Sequence, residues 1–96
     1  MLNEINRFPC KPNKQYVCSL DLKVVNATCR LNLMTLDSNI TELNRVILDV
    51  SETDGQQCTI SINTSENTAF IRLLLTLSGN AEGIIFLDNI SILEYE

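Results

Sequence analysis

The 96-residue chain has no histidine and no tryptophan, and only three glycines, two prolines, two tyrosines and three phenylalanines. Without histidine there is no imidazole to activate a serine or a cysteine, which excludes Ser/His and Cys/His catalysis. Without histidine or any C-x-x-C pair, a zinc site has no usual ligand set. Basic residues are also scarce. Seven Lys and Arg against twelve Asp and Glu leave a net charge of −5. The basic residues occur singly and form no patch, so a phosphate backbone has nothing to meet, and nucleic acid is excluded as a partner. No apolar run approaches the length of a membrane span. Met1 to Asn6 lacks the basic and apolar regions of a signal peptide, so none is read here. The acidic residues Asp49, Glu52, Asp54, Glu66 and Glu82 fall in turns or on polar phases. They do not suggest the paired carboxylates of a glycosidase, and no enzyme is expected.

What remains is a chain rich in Leu, Ile and Val, with many Asn, Ser and Thr residues, 45% apolar overall. That balance favours strands and turns. The whole of residues 1–96 reads as a single domain. Four cysteines stand at positions 10, 18, 29 and 58. Three fall on apolar phases, as small buried hydrophobes would. A disulfide joining Cys10 to Cys18, or Cys18 to Cys29, is the other reading.

Period-two alternation recurs along the chain. A short entry strand covers Glu4 to Phe8, and Pro9 to Lys14 is a loop. From Gln15 to Val25, the residues Tyr16, Cys18, Leu20, Leu22 and Val24 share one face. Strands also read at Thr28 to Leu36, Asn44 to Val50 and Gln57 to Asn63, parted by turns at Asn26-Ala27, Asp37 to Asn39 and Ser51 to Gly55. The last third reads as a hairpin: Ala69 to Leu77, a turn over Ser78 to Gly83, then Ile84 to Leu93. About seven strands without a substantial helix predict an all-β, antiparallel sandwich of jelly-roll type.

The hairpin departs from plain alternation twice. Ile71, Leu73, Leu75 and Leu77 share a face, yet Phe70 and Leu74 lie opposite, so this strand is either central in its sheet or covered. In the last strand Ile85 and Leu87 share one phase, and Ile90 and Ile92 the other. A β-bulge at Asp88-Asn89 would produce that slip.

The stretches Ala69-Phe70-Ile71-Arg72-Leu73-Leu74-Leu75-Thr76-Leu77-Ser78-Gly79 and Gly83-Ile84-Ile85-Phe86-Leu87-Asp88-Asn89-Ile90-Ser91-Ile92 resemble the end of jelly-roll carbohydrate-binding modules of the family 4, 9 and 22 type. Lys11-Pro12-Asn13-Lys14-Gln15-Tyr16-Val17-Cys18-Ser19-Leu20 and Asp54-Gly55-Gln56-Gln57-Cys58-Thr59-Ile60 are similar to two further strands of those modules. The resemblance runs from about Phe8 to Leu93. Against that family the chain reads as shortened at its N-terminus, and Gln56 stands where the family has Trp.

The resemblance implies a non-catalytic module that attaches to a glycan or cell-wall polysaccharide, as part of a phage tail fibre, a receptor-binding protein or a secreted enzyme. An extracellular or virion-associated location follows. Candidate ligand-binding residues are Asp21, Arg30, Asn32 and Arg72 on the outward phase, with Tyr16 or Phe70 as a stacking ring. Asp88 matches the family's C-terminal Asp, which implies a structural calcium ligand; no other cofactor is expected. The alternative is an assembly domain of a fibre or spike with no sugar binding. Such a domain would be a homo-oligomer, a trimer in the case of a fibre, with Phe70, Leu74 and Phe86 at the interface.

Overall fold

The computed structural model describes the backbone of residues 2–95, and the side chains of residues 7–51, 55–78 and 83–95. The described residues form four strands and no helix: β1 (Leu2–Pro9), β2 (Gln15–Leu36), β3 (Glu42–Asn63) and β4 (Phe70–Tyr95). They pair antiparallel in the order β1-β4-β2-β3. A straight strand as long as β2 would span about 75 Å, whereas the longest dimension of the molecule is 41 Å. The three long strands therefore bend together near their midpoints, and the ribbon they form folds back over its own face.

The bend is built from register slips that line up across the ribbon. Ladder β2–β4 slips between Val25 and Ala27, where Val25 faces Ile84 and Ala27 faces Gly79. Asn26 sits in that slip at φ 56°. Its short polar side chain tolerates this left-handed conformation better than a bulky one would. Ladder β2–β3 slips on both sides of Val24, and Gly55, at φ 82°, lies on the facing stretch of β3. The polar segments at Asn26-Ala27, Ser51 to Gly55 and Ser78 to Gly83 are thus bends within continuous strands, not chain reversals. The closing pair of strands is not a hairpin. Its two halves pair with opposite halves of β2: residues 70–79 with 27–36, and residues 84–95 with 15–25.

Folding gives two antiparallel layers made of six half-strands, and β1 extends one of them as an edge strand. Strand β1 pairs with the first half of β4, from Leu2 opposite Thr76 to Pro9 opposite Phe70. That half of β4 is central in its layer, flanked by β1 and β2, which explains its two apolar faces. The antiparallel all-β sandwich expected from the alternation is the observed architecture. One core holds the inward side chains of both layers, including Cys18, Leu20 and Leu22 from one and Leu31, Leu33 and Leu73 from the other. The loops at the far end extend these ladders by further bonds. Ala69 N donates to Leu36 O at 2.8 Å and Cys10 N donates to Ala69 O at 3.1 Å. Thr64 Oγ1 accepts from Lys14 N at 2.8 Å and donates to Lys11 O at 2.8 Å, which pins the loop before β2.

All four cysteines are free thiols, so the core holds them as small hydrophobes and no disulfide forms. Burial pushes Cys18 from the ordinary 9.0 up to about 11. Cys29 also rises to about 11, through burial first and then the proximity of Cys58 and Asp49. Folding thus favours the neutral thiol. The stabilisation is complete below pH 9, the value for the unfolded chain, and is lost as pH rises towards 11. Denaturation curves taken across that window should show falling stability, and serine at both positions should flatten the trend. Thr35 adds a separate test. Its Oγ1 is buried without a hydrogen-bond partner, a costly arrangement for a hydroxyl. Thr35→Val should raise stability by about 1 kcal/mol, and a clear loss in urea unfolding would contradict this account.

Candidate functional site

The two outer faces of the sandwich differ in how their charges are satisfied. On the four-stranded layer, Arg30 faces Asp49 across the β2–β3 ladder. Its Nε and Nη2 donate to the two carboxylate oxygens at 2.8 and 3.1 Å. These bonds hold the exposed Asp49 carboxyl below the usual carboxylate range. Arg45 grips Glu42 through Nε and Nη2, and its Nη1 donates to Asn32 Oδ1 at 3.2 Å. Asn32 is outward in phase, yet only 3% exposed, and its Nδ2 donates to Leu74 O at 3.3 Å. Met34, on the same face, lies opposite Arg45 on one side and Arg72 on the other. It is 2% exposed, as expected if the arginine stems cover it. Arg30 and Arg45 are therefore occupied with their own neighbours, and Asn32 is a buried strut, not a presented amide.

The three-stranded layer is different. Its outer face carries a cleft of about 350 Å³ lined by Asp21, Leu22, Lys23, Gly55, Phe86, Leu87 and Asp88. Asp21 lies opposite Asp88, and Lys23 opposite Phe86, in the β2–β4 ladder. Phe86 is 57% exposed, with Lys23 Nζ 5.8 Å from its ring centroid. The bulge next to the cleft fixes the carboxylates. Between the pairs Ser19–Ser91 and Asp21–Asp88, the single residue Leu20 faces two, Asn89 and Ile90. Asn89 adopts φ 52°. Its N–H donates to Asp88 Oδ1 at 2.9 Å, and its Nδ2 reaches across to Asp21 Oδ2 at 2.7 Å. The bulge expected at Asp88-Asn89 is present, and it reverses the buried phase: Ile85 is buried before it and Ile92 after it.

The predicted residues are thereby sorted. Asp21, Phe86 and Asp88, assigned from the sequence to three separate roles, line one cleft. Arg30, Asn32 and Arg72 share the opposite outer face, as do the half-buried Phe70 and Leu74, so the three expected interface residues do not form one patch. Tyr16 is not a stacking surface. It is 5% exposed in the core, and its hydroxyl accepts from Lys11 N at 2.8 Å. Lys23 is not among the residues expected at a site, although the alternation puts it on the same outward face as Asp21, two residues away. Around Asp88 the described side chains do not make up a calcium ligand set. No group of three or more acidic or thiol side chains gathers among the described residues, and two carboxylates fall short of the six to eight oxygens calcium takes.

No protein-family model matches the chain, and no curated protein matches it in sequence. Solved structures do. The enzymatically active domain of bacteriophage CBA120 tailspike protein 4 matches with a TM-score of 0.81 at 11% identity, over 98% of this chain and 13% of that one. A second carbohydrate-binding module of family 16 matches with a TM-score of 0.74 at 21% identity, over 98% of this chain and 71% of that one. A CBM4 structure matches with a TM-score of 0.60 at 13% identity, over 98% of this chain and 59% of that one. The chain thus spans a small part of the tailspike domain and more than half of each module. Its β fold is that of carbohydrate-binding modules.

The bulge can be tested directly. Asn89→Ala places a Cβ-bearing residue without a bonding side chain in the left-handed region, whereas Asn89→Gly keeps that backbone without strain. The alanine variant should be less stable than the glycine variant by about 1 kcal/mol in chemical denaturation. Equal stabilities would mean that position 89 does not hold a left-handed bulge.

Proposed function

We propose that this domain is a non-catalytic glycan-binding module, and that the cleft beside Phe86 is where the sugar sits. The observation that carries the reading is an exposed aromatic ring next to two carboxylates in one cleft, on a carbohydrate-binding-module fold. A pyranose ring presents C–H groups that pack on an aromatic face, and its hydroxyls donate to carboxylate oxygens. The cleft volume lies at the small end of the range for ligand sites and suits one or two sugar units. Such a site binds weakly alone, and attachment to a polysaccharide or cell surface would draw on several copies. The motifs of the closing strand favour the family 4, 9 and 22 type within this group. The likeness to a phage tailspike domain supports attachment or receptor binding on a virion, in an extracellular or virion-associated setting.

A specific observation favours a second reading, assembly of copies into a homo-oligomer such as a trimer. Beyond the bend, β4 has, among the described residues, a partner only on its β2 side, because β1 pairs with the other half. This open edge carries Ile84, Phe86, Leu93 and Tyr95, which are 48, 57, 65 and 62% exposed. Exposed apolar edges of this kind mark contacts.

Phe86→Ala separates the two. Under the glycan reading it should abolish signals on a glycan array, leave the thermal midpoint unchanged and leave the mass by light scattering that of a monomer. An oligomer that dissociates on this change, with no array signal from either form, would replace glycan binding by assembly.

A further inference from the structure

The cleft has an electrostatic character that a site for neutral sugars does not require. Two carboxylates, Asp21 and Asp88, face each other across an antiparallel ladder, where like charges oppose folding. Each has one oxygen bonded to Asn89, through Oδ2 of Asp21 and Oδ1 of Asp88. Among the described residues, their other oxygens carry no hydrogen bond. The nearby ammonium of Lys23 lies over the face of Phe86. An aromatic face with an ammonium on it, beside carboxylates with acceptor capacity left, is a chemical arrangement for holding a cation.

Resting on the glycan reading of the same cleft, we propose that its ligand is a sugar bearing a free amine, an unacetylated hexosamine unit. The ligand ring stacks on Phe86, and its protonated amine donates to Asp21 and Asp88. Lys23 Nζ lies over the ring on which the ligand stacks, and its charge opposes the approach of the incoming amine. Acetylation of the amine removes both its charge and two of its donors, so an N-acetylated sugar of the same length loses this contact. Uronic acids are repelled by the same carboxylates.

The test is an amide-resolved NMR titration with a glucosamine oligomer and its N-acetylated counterpart, at low salt and mildly acidic pH. The unacetylated oligomer should shift the amides of Asp21, Lys23, Phe86 and Asp88 and bind about tenfold more tightly, the scale of one charge-assisted hydrogen bond. Asp21→Asn and Asp88→Asn should each lose about that factor, and Lys23→Met should bind more tightly than the native protein. Asparagine keeps an acceptor for Asn89, and unchanged spectra away from the cleft would confirm that each variant folds. Because the protein is acidic, a polycation could bind anywhere on it. Glu66→Gln makes the same charge change in a remote loop, and a loss equal to that of Asp21→Asn would overturn the proposal. Equal or tighter binding of the acetylated oligomer would overturn it as well. If that binding still depends on Phe86, the glycan reading survives without the amine. No binding of any glycan would end both.

Discussion

A ribbon of three long antiparallel strands has two faces, and water can be excluded from one of them only if that face meets another surface. Among the described residues there is no helix to lay over it. The chain meets the constraint by bending all three strands at the same level, so that the inward face of one half covers the inward face of the other. The irregularities at Asn26, around Val24 and between Gly79 and Ile84 are therefore not independent loops. They form one crease, and the core exists because they coincide. The crease also changes phase along β2, from even-numbered inward residues such as Leu22 and Val24 to odd-numbered ones such as Cys29 and Leu31.

The cleft follows from the same geometry. Bending leaves the half of β4 beyond the crease with a partner on one side only among the described residues, since β1 pairs with the other half. The bulge at Asn89 then shifts the phase once more, which keeps Ile85 and Ile92 both in the core despite their odd separation in sequence. One αL residue thus has a packing role and a chemical one. Its backbone and side chain hold one oxygen of Asp88 and one of Asp21, which fixes the carboxylates without neutralising them. An arginine in its place would have fixed them and cancelled their charge, as Arg30 does for Asp49 on the other layer.

Much of the fold was legible because alternation reports burial directly. The inward set Tyr16 to Val24 is where the pattern put it, and the phase slip at Asp88-Asn89 named the bulge. The connections were not legible. A polar stretch such as Ser78 to Gly83 has the same composition whether the chain reverses or only bends. Which half of β2 each half of β4 meets depends on pairing between distant residues, which local pattern does not encode. The site suffered for the same reason. Asp21 and Asp88 stand far apart in the chain, and only the pairing brings them together. Outward phase also overstated exposure: Asn32 and Met34 point away from the core yet are only 3% and 2% exposed.

The contrast between the two outer faces bears on which of them can recognise a ligand. A ligand must offer contacts that replace those it displaces. On the four-stranded layer, the guanidinium groups of Arg30 and Arg45 already have carboxylate partners, and a sugar hydroxyl would have to break bonds between charged groups to gain weaker ones. On the three-stranded layer, the carboxylates keep acceptor capacity, and more than half of the Phe86 surface is in contact with water. A ligand placed there would cover an aromatic face and exchange water for its own donors at the carboxylate oxygens, without breaking a bond between charged groups. Composition alone would have pointed to the arginine-rich face. The hydrogen bonds point to the other face, because what a side chain can offer a ligand is set by the partners it already has.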